Sequence, residues 1–237
     1  MIKNYLTVVL IASFLFPLYA SAVFIPGADG GSLKANTGAN EPTSQITMMG
    51  WMYATTTSLS KVMLWATSTG AFQNDMFIRY QVAPTNAIRC QINAGGSITT
   101  LSDPNNTWSH WGWKFIACVY DGATIQLYRN GGVPGASTAK TGTIPQLANW
   151  QIGAGGLTGF LPMHGWISDV WIFNRALTAQ EIKNYYYFGA INRTGCVHHW
   201  ALDINGRDDC GRSTATSTTA NIIYNGYRPY TKSLLRR

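Results

Sequence analysis

The feature that most narrows the fold of this chain is a succession of short runs in which apolar and polar residues alternate. They occupy residues 46–55, 61–66, 75–83, 87–93, 97–101, 113–120, 124–129, 148–152 and 163–173, and Gly, Asn, Pro, Ser and Thr stand between them. Alternation with period two marks a strand with one buried face, and turn residues between such runs make antiparallel pairing the expectation. A sandwich or barrel follows. One hairpin can be placed: Asp121-Gly122 joins 113–120 to 124–129, and the glycine can take the positive φ that a tight turn in a twisted ribbon requires.

One helix is signalled. Thr178-Ala179-Gln180-Glu181 reads as a capping box, Ile182 and 185–188 supply an apolar face, and Gly189 stops it. Composition excludes the broader alternatives. Only 11% of the 237 residues are charged, while Gly, Ser, Thr, Asn and aromatic residues abound, which suits strands and turns over helix bundles or disorder. The formal charge of +7 is spread widely, partly into the tail holding Arg228, Lys232, Arg236 and Arg237. No basic stripe interleaved with aromatics occurs, so nucleic acid is not an expected partner.

The amino terminus reads as an export signal over residues 1–22: Lys3, an apolar run at 6–16, Pro17, and the small residues Ala20-Ser21-Ala22. The mature chain is then expected to begin at Val23, outside the cell. No later segment approaches the ~20 apolar residues that a helix needs to span a bilayer. All four cysteines lie in the exported part, where disulfides persist. Cys196 and Cys210 are close enough in sequence for a local staple. Cys90 and Cys118 fall in two alternating runs with core-facing neighbours; a bridge between adjacent strands and a pair of buried thiols are both open there.

The stretch Gly165-Trp166-Ile167-Ser168-Asp169-Val170-Trp171-Ile172-Phe173, continuing through Asn174-Arg175-Ala176-Leu177-Thr178 to Glu181-Ile182, resembles the closing signature of bacterial and phage laminin-G-like domains. Two further pieces agree with that family in order. Residues 113–122 followed by Leu127-Tyr128-Arg129-Asn130-Gly131 resemble its central hairpin, and 46–53 an earlier strand. The resemblance implies an all-β fold of two antiparallel sheets, a concanavalin A-like jelly roll, with one short helix near its carboxyl end. It also implies a sandwich domain over 23–190 and a carboxyl-terminal extension over 191–237. His199-Trp200-Ala201-Leu202-Asp203 resembles an element that often precedes such domains, though here it follows. The pentraxins share the fold and bridge the central hairpin strand to the early strand. Residues 46–53 contain no Cys, so neither that bridge nor pentraxin ligand binding is carried over.

Hydrolysis of a glycosidic bond generally needs two facing carboxylates, and the strands carry no acidic run at spacing two. Glu41 stands in a loop and Glu181 in the helix cap, no Gly-x-Ser-x-Gly elbow is present, and His198 and His199, as strand neighbours, point to opposite faces. The expectation is a binding module without catalysis. Trp108, His110 and Trp111, in a polar loop before a strand, are the candidate ligand contacts, since sugars stack on aromatic faces. Calcium is the family's frequent cofactor, and Asn74, Asp75, Asp103 and Asp169 are candidate oxygen ligands. A glycan is the expected partner. A cell-surface or virion protein bound by a structural decoration is the second reading, and a glycoside hydrolase the third.

Overall fold

The structure, a computed structural model, describes residues 20–26, 31–38, 40–55, 60–68, 76–82, 87–103, 112–155, 161–211, 213–217 and 222–228. It opens with β1 (Ala20–Ile25), β2 (Leu33–Asn36), β3 (Ile46–Ala54), β4 (Lys61–Ser68) and β5 (Met76–Gln81). Next come β6 (Ala87–Ala94), β7 (Ser97–Ser102), β8 (Lys114–Tyr120), β9 (Thr124–Arg129) and β10 (Pro134–Ala139). Then follow β11 (Leu147–Ile152), β12 (Gly165–Phe173), the helix α1 (Ala179–Phe188), β13 (Cys196–Trp200), β14 (Thr216–Ser217) and β15 (Ile223–Arg228). They form two antiparallel sheets. An eight-stranded sheet runs β10-β9-β8-β3-β12-β1-β15 with β13 also on β12, and a seven-stranded sheet runs β14-β2-β11-β4-β5-β6-β7.

The core lies between the sheets. Met48 and Met52 of β3, Ile116 of β8 and Ile172 of β12 meet Ile78, Ile92 and Trp150 from the other sheet, all buried. Each such side chain contributes roughly 1.5–3 kcal/mol relative to exposure. The central strands of the eight-stranded sheet are buried on their outer face as well. There Met49, Trp51, Phe115 and Phe173 pack with Ile182 and Tyr185 of α1, so β3 and β8 are buried along nearly their whole length. Trp113, half-buried, belongs to this outer cluster, not to the end of the inner core.

The helix has the expected capping box, with Gly189 closing it at φ 66°. The hairpin of β8 and β9 turns at Asp121, whose Oδ1 accepts from the amides of Ala123 and Thr124 at 2.8 and 2.6 Å. Two disulfides form. Cys196–Cys210 is the local staple, with Cα atoms 5.8 Å apart. Cys90–Cys118, with Cα atoms 6.0 Å apart, differs from the expectation of adjacent strands: β6 and β8 belong to different sheets, and the bridge crosses the core. Both cysteines are buried in the core between the sheets, and at this Cα separation a bridge can span it as readily as it can join neighbours in one sheet. Met48 stands opposite Cys118 on β3.

The residues after 195 enter both sheets. β12 pairs along its first half with β1 and along its second half with β13, so two segments far apart in sequence share one edge. β14 pairs with β2 and β15 with β1. Residues 1–19 lie outside the described ones. A cut before Val23 would leave Val23, Phe24 and Ile25 paired with β12 and would remove the backbone of 20–22 from β15.

Candidate functional site

The outer face of the seven-stranded sheet is built unlike the rest of the surface. Val62, Trp65 and Phe77 turn away from the core and form a cluster of their own; Val62 and Trp65, an odd step apart, share that face because β4 shifts register between Val62 and Leu64. Trp65 and Phe77 are cross-strand partners with rings stacked 5.4 Å apart at 20°, and the Arg79 guanidinium lies 4.5 Å above the Phe77 ring. Leu161 packs on this row, and its carbonyl accepts from the amide of Val62 at 3.2 Å. Gly155 passes so close to Trp65 that a Cβ there would come within 2.5 Å of the ring, which only glycine avoids.

Polar side chains flank the row. Gln151 stands opposite Trp65 and Asn149 opposite Thr67. On the other flank Arg79 faces Arg89 directly across β5 and β6, and Thr100 donates to Gln91 at 2.9 Å. Four atoms here are buried without a hydrogen-bond partner among the described residues: Trp65 Nε1, Arg79 Nε, Asn149 Oδ1 and Gln151 Oε1. An unmet buried polar group costs about 1–3 kcal/mol. Such groups are rare in folded proteins, and several on one face call for a ligand or solvent to complete them. Burial, and after it the neighbouring Arg89 charge, lowers the Arg79 pKa.

The acids and histidines lie elsewhere. His198, 1% exposed, has Asp208 Oδ2 at 2.5 Å from Nδ1 and Glu41 Oε1 at 2.8 Å from Nε2. Burial alone would lower the His198 pKa, but hydrogen bonds and charges from the two carboxylates raise it to about 9. Burial would raise the Asp208 pKa, yet hydrogen bonds from His198 and from the amides of His199, Gly211 and Cys210 bring it below its ordinary value. Glu41 Oε2 also accepts from Trp150 Nε1 at 3.0 Å. This cluster is closed on itself and ties the loop at Glu41 to β11, β13 and the turn at Asp208. Nothing in the sequence pairs Glu41 with His198, which are 157 positions apart.

His199 points the other way, as its place beside His198 on a strand dictates, and stacks on Trp171 with centroids 3.4 Å apart. Its Nε2 lies 2.7 Å from Asp169 Oδ1, which also accepts from Trp171 Nε1 at 3.2 Å, while Tyr185 donates to Asp169 Oδ2. Asp169 thus holds α1 and β13 to the sheet. Asp103, 3% exposed, forms an ion pair with Arg129 at 3.1 Å. These two candidate oxygen ligands stand at different sheets, each satisfied by protein partners, and do not fit a common calcium ion. No group of three or more His, Cys, Asp or Glu suited to a metal occurs among the described residues. Asn74, Asp75, Trp108, His110 and Trp111 lie outside those residues. The stretch 104–111 follows Asp103 at the end of β7, the strand that carries Thr100 on the outer face. Alternation sets Phe77 and Arg79 opposite in parity to the core residues Met76, Ile78 and Tyr80 of β5, but the register shift in β4 puts Met63 in the core at the parity of Trp65, so the pattern alone did not mark this face.

No helix among the described residues is long and apolar enough to cross a membrane. The family model described as Concanavalin A-like lectin/glucanases superfamily, of the laminin-G type, matches residues 27–183. No curated protein matches the chain. Among solved structures, a Bacteroides ovatus protein provisionally described as carbohydrate-binding shares 17% identity and a TM-score of 0.66 over 89% of this chain. The chain spans 61% of that protein's length. A heptameric SAP-like pentraxin from Limulus polyphemus shares 14% identity and a TM-score of 0.64, over 89% of this chain and 97% of its own. The CBM40 of the Ruminococcus gnavus IT-sialidase, bound to α2,3 sialyllactose, shares 15% identity and a TM-score of 0.50 over 61% of this chain and 84% of its own. These likenesses concern the fold.

Proposed function

Since the chain belongs to the laminin-G type of the concanavalin A-like lectin/glucanases superfamily, we propose that it is a secreted glycan-binding module whose ligand sits on the outer face of the seven-stranded sheet. The observation that carries this reading is the set of unmet atoms on Trp65, Arg79, Asn149 and Gln151 beside a stacked aromatic row. A sugar hydroxyl both donates and accepts, so it satisfies an indole N–H, a guanidinium N–H and an amide oxygen alike. The C–H faces of a sugar ring suit the aromatic edge. Trp108, His110 and Trp111, outside the described residues, are kept as expected further contacts on their chemistry, and a calcium requirement is tested with the glycan.

Binding without hydrolysis is favoured by the state of the acids. Hydrolysis needs two carboxylates flanking the scissile bond. Each of the eight described carboxylates has a partner within the protein, Glu41 and Asp208 sharing His198 and Glu181 pairing with Arg175 at 2.7 Å. The solved relatives described as carbohydrate-binding, or holding sialyllactose, lend support at the level of the class. The reading of residues 1–22 as an export signal and the two disulfides support secretion. A glycan array probed with and without Ca²⁺ tests the proposal. At least one glycan is expected to bind, and the double variant Asn149→Ala, Gln151→Ala to bind it about tenfold more weakly. An array with no binding in either condition, or a double variant that binds as the wild type does, contradicts it.

A further inference from the structure

Arg79 and Arg89 stand directly opposite each other on adjacent strands, both half-buried. Like charges so placed destabilise a sheet, and no feature of the fold requires an arginine at Arg79. The core lies on the other side of β5, and the ring of Phe77 beneath Arg79 is already stacked by Trp65. No carboxylate among the described residues pairs with Arg79. Asp103, the nearest acid along β7, turns inward to Arg129, and the other described acids are engaged at the helix, at turns or around His198. An arginine held over an aromatic ring, as Arg79 is over Phe77, still has guanidinium N–H groups that can fork onto two oxygens. Two guanidiniums side by side become favourable once an anion lies between or above them, because the repulsion turns into shared attraction in a partly desolvated place.

Resting on the glycan-binding reading, we infer that the outer face of the seven-stranded sheet selects anionic saccharides, with Arg79 and Arg89 gripping a carboxylate or sulfate group while Asn149, Gln151 and Trp65 take the hydroxyls. The arginines then act as the specificity determinants of the site and the amides as its general sugar contacts.

The test compares matched probes at low ionic strength by calorimetry: trigalacturonate against its methyl ester, and 3′-sialyllactose and lactose 3′-sulfate against lactose. The wild type is expected to bind at least one anionic member about tenfold or more tightly than its neutral counterpart. The carboxylate and sulfate arms show which group is preferred. Arg79→Gln is expected to erase that preference, weakening the anionic member about tenfold and the neutral member by no more than about twofold. Its Tm should hold or rise, because a repulsion is removed; Arg79→Lys, which keeps the charge but not the fork, should recover only part of the preference. Equal affinity for charged and neutral members overturns the inference and leaves the glycan reading standing. Failure of every anionic probe overturns it too, and the neutral array then decides the glycan reading separately. A fall in Tm in Arg79→Gln with parallel loss on both kinds of probe marks a structural role and also overturns it.

Discussion

An imidazolium persists in the core at His198 because both ring nitrogens reach a carboxylate and each carboxylate has further donors of its own. A buried charge without such partners is costly, and removing one member of a buried pair leaves the others uncompensated. The consequence is a dependence on pH with a definite sign. Folded His198 holds its proton to about pH 9, whereas a free imidazole gives it up near 6.5. Its contribution is therefore complete below pH 6.5 and is lost as pH rises through 9, on the order of 3 kcal/mol. Asp208 acts at the other end: its lowered pKa gives stability that is present above its ordinary 3.8 and lost as pH falls further. Urea midpoints at pH 6, 8 and 9.5 are expected to decline over the alkaline range and to flatten in His198→Gln. A wild-type midpoint independent of pH between 6 and 9.5 contradicts this account. In the sequence, the parity of His198 and His199 was legible and their partners were not, because ion pairs between distant loops leave no local pattern.

At the scale of the element, α1 shows how much a local signal can fix. The capping box at Thr178 and Glu181, strengthened by Arg175 on the Glu181 carboxylate at 2.7 Å, sets where the helix starts, and Gly189 sets where it ends. Thr178→Ala is expected to cost about 1 kcal/mol, and Tyr185→Phe, which removes the hydroxyl holding Asp169, about 1–2 kcal/mol. Both follow from denaturant titration; a loss below ~0.3 kcal/mol for either contradicts the role given to it. Strand β12 shows where a periodic reading fails. Ile167 and Val170 both face the core, an odd step, because the register shifts between Ser168 and Trp171 and Asp169 adopts φ 58°. Such a bulge turns the side chains beyond it to the other face. Asp, with a short polar side chain, tolerates this conformation better than most residues. The short strands β2, β10 and β14 lacked enough alternation to be seen in the sequence.

For the whole molecule, the division of labour between the sheets is what the fold contributes to function. The central strands β3, β8 and β12 of the eight-stranded sheet are buried on both faces, their outer side under α1. The seven-stranded sheet is left with an outer face of aromatic, amide and guanidinium groups whose donors and acceptors are not all met. The disulfide Cys90–Cys118 joins the sheets through the core, and β13, β14 and β15 close both of them. A sandwich or barrel was legible from alternation and turns, the central hairpin from its Asp121-Gly122 turn, the helix from its capping box, and the jelly roll only from the family resemblance. The working face was not, because the same alternation describes a strand whatever lies on its outer side, and the attention drawn by Trp108 and Trp111 came from their chemistry alone. The central claim is that the outer face of the seven-stranded sheet takes the glycan. Nuclear magnetic resonance of isotope-labelled protein titrated with its tightest array glycan tests this most directly. The account predicts shifts at the Trp65 indole, the Asn149 and Gln151 amides and the Arg79 guanidinium, with the Trp51 and Trp171 indoles unmoved. Shifts confined to Trp51, Trp171 and the α1 side of the molecule would contradict it.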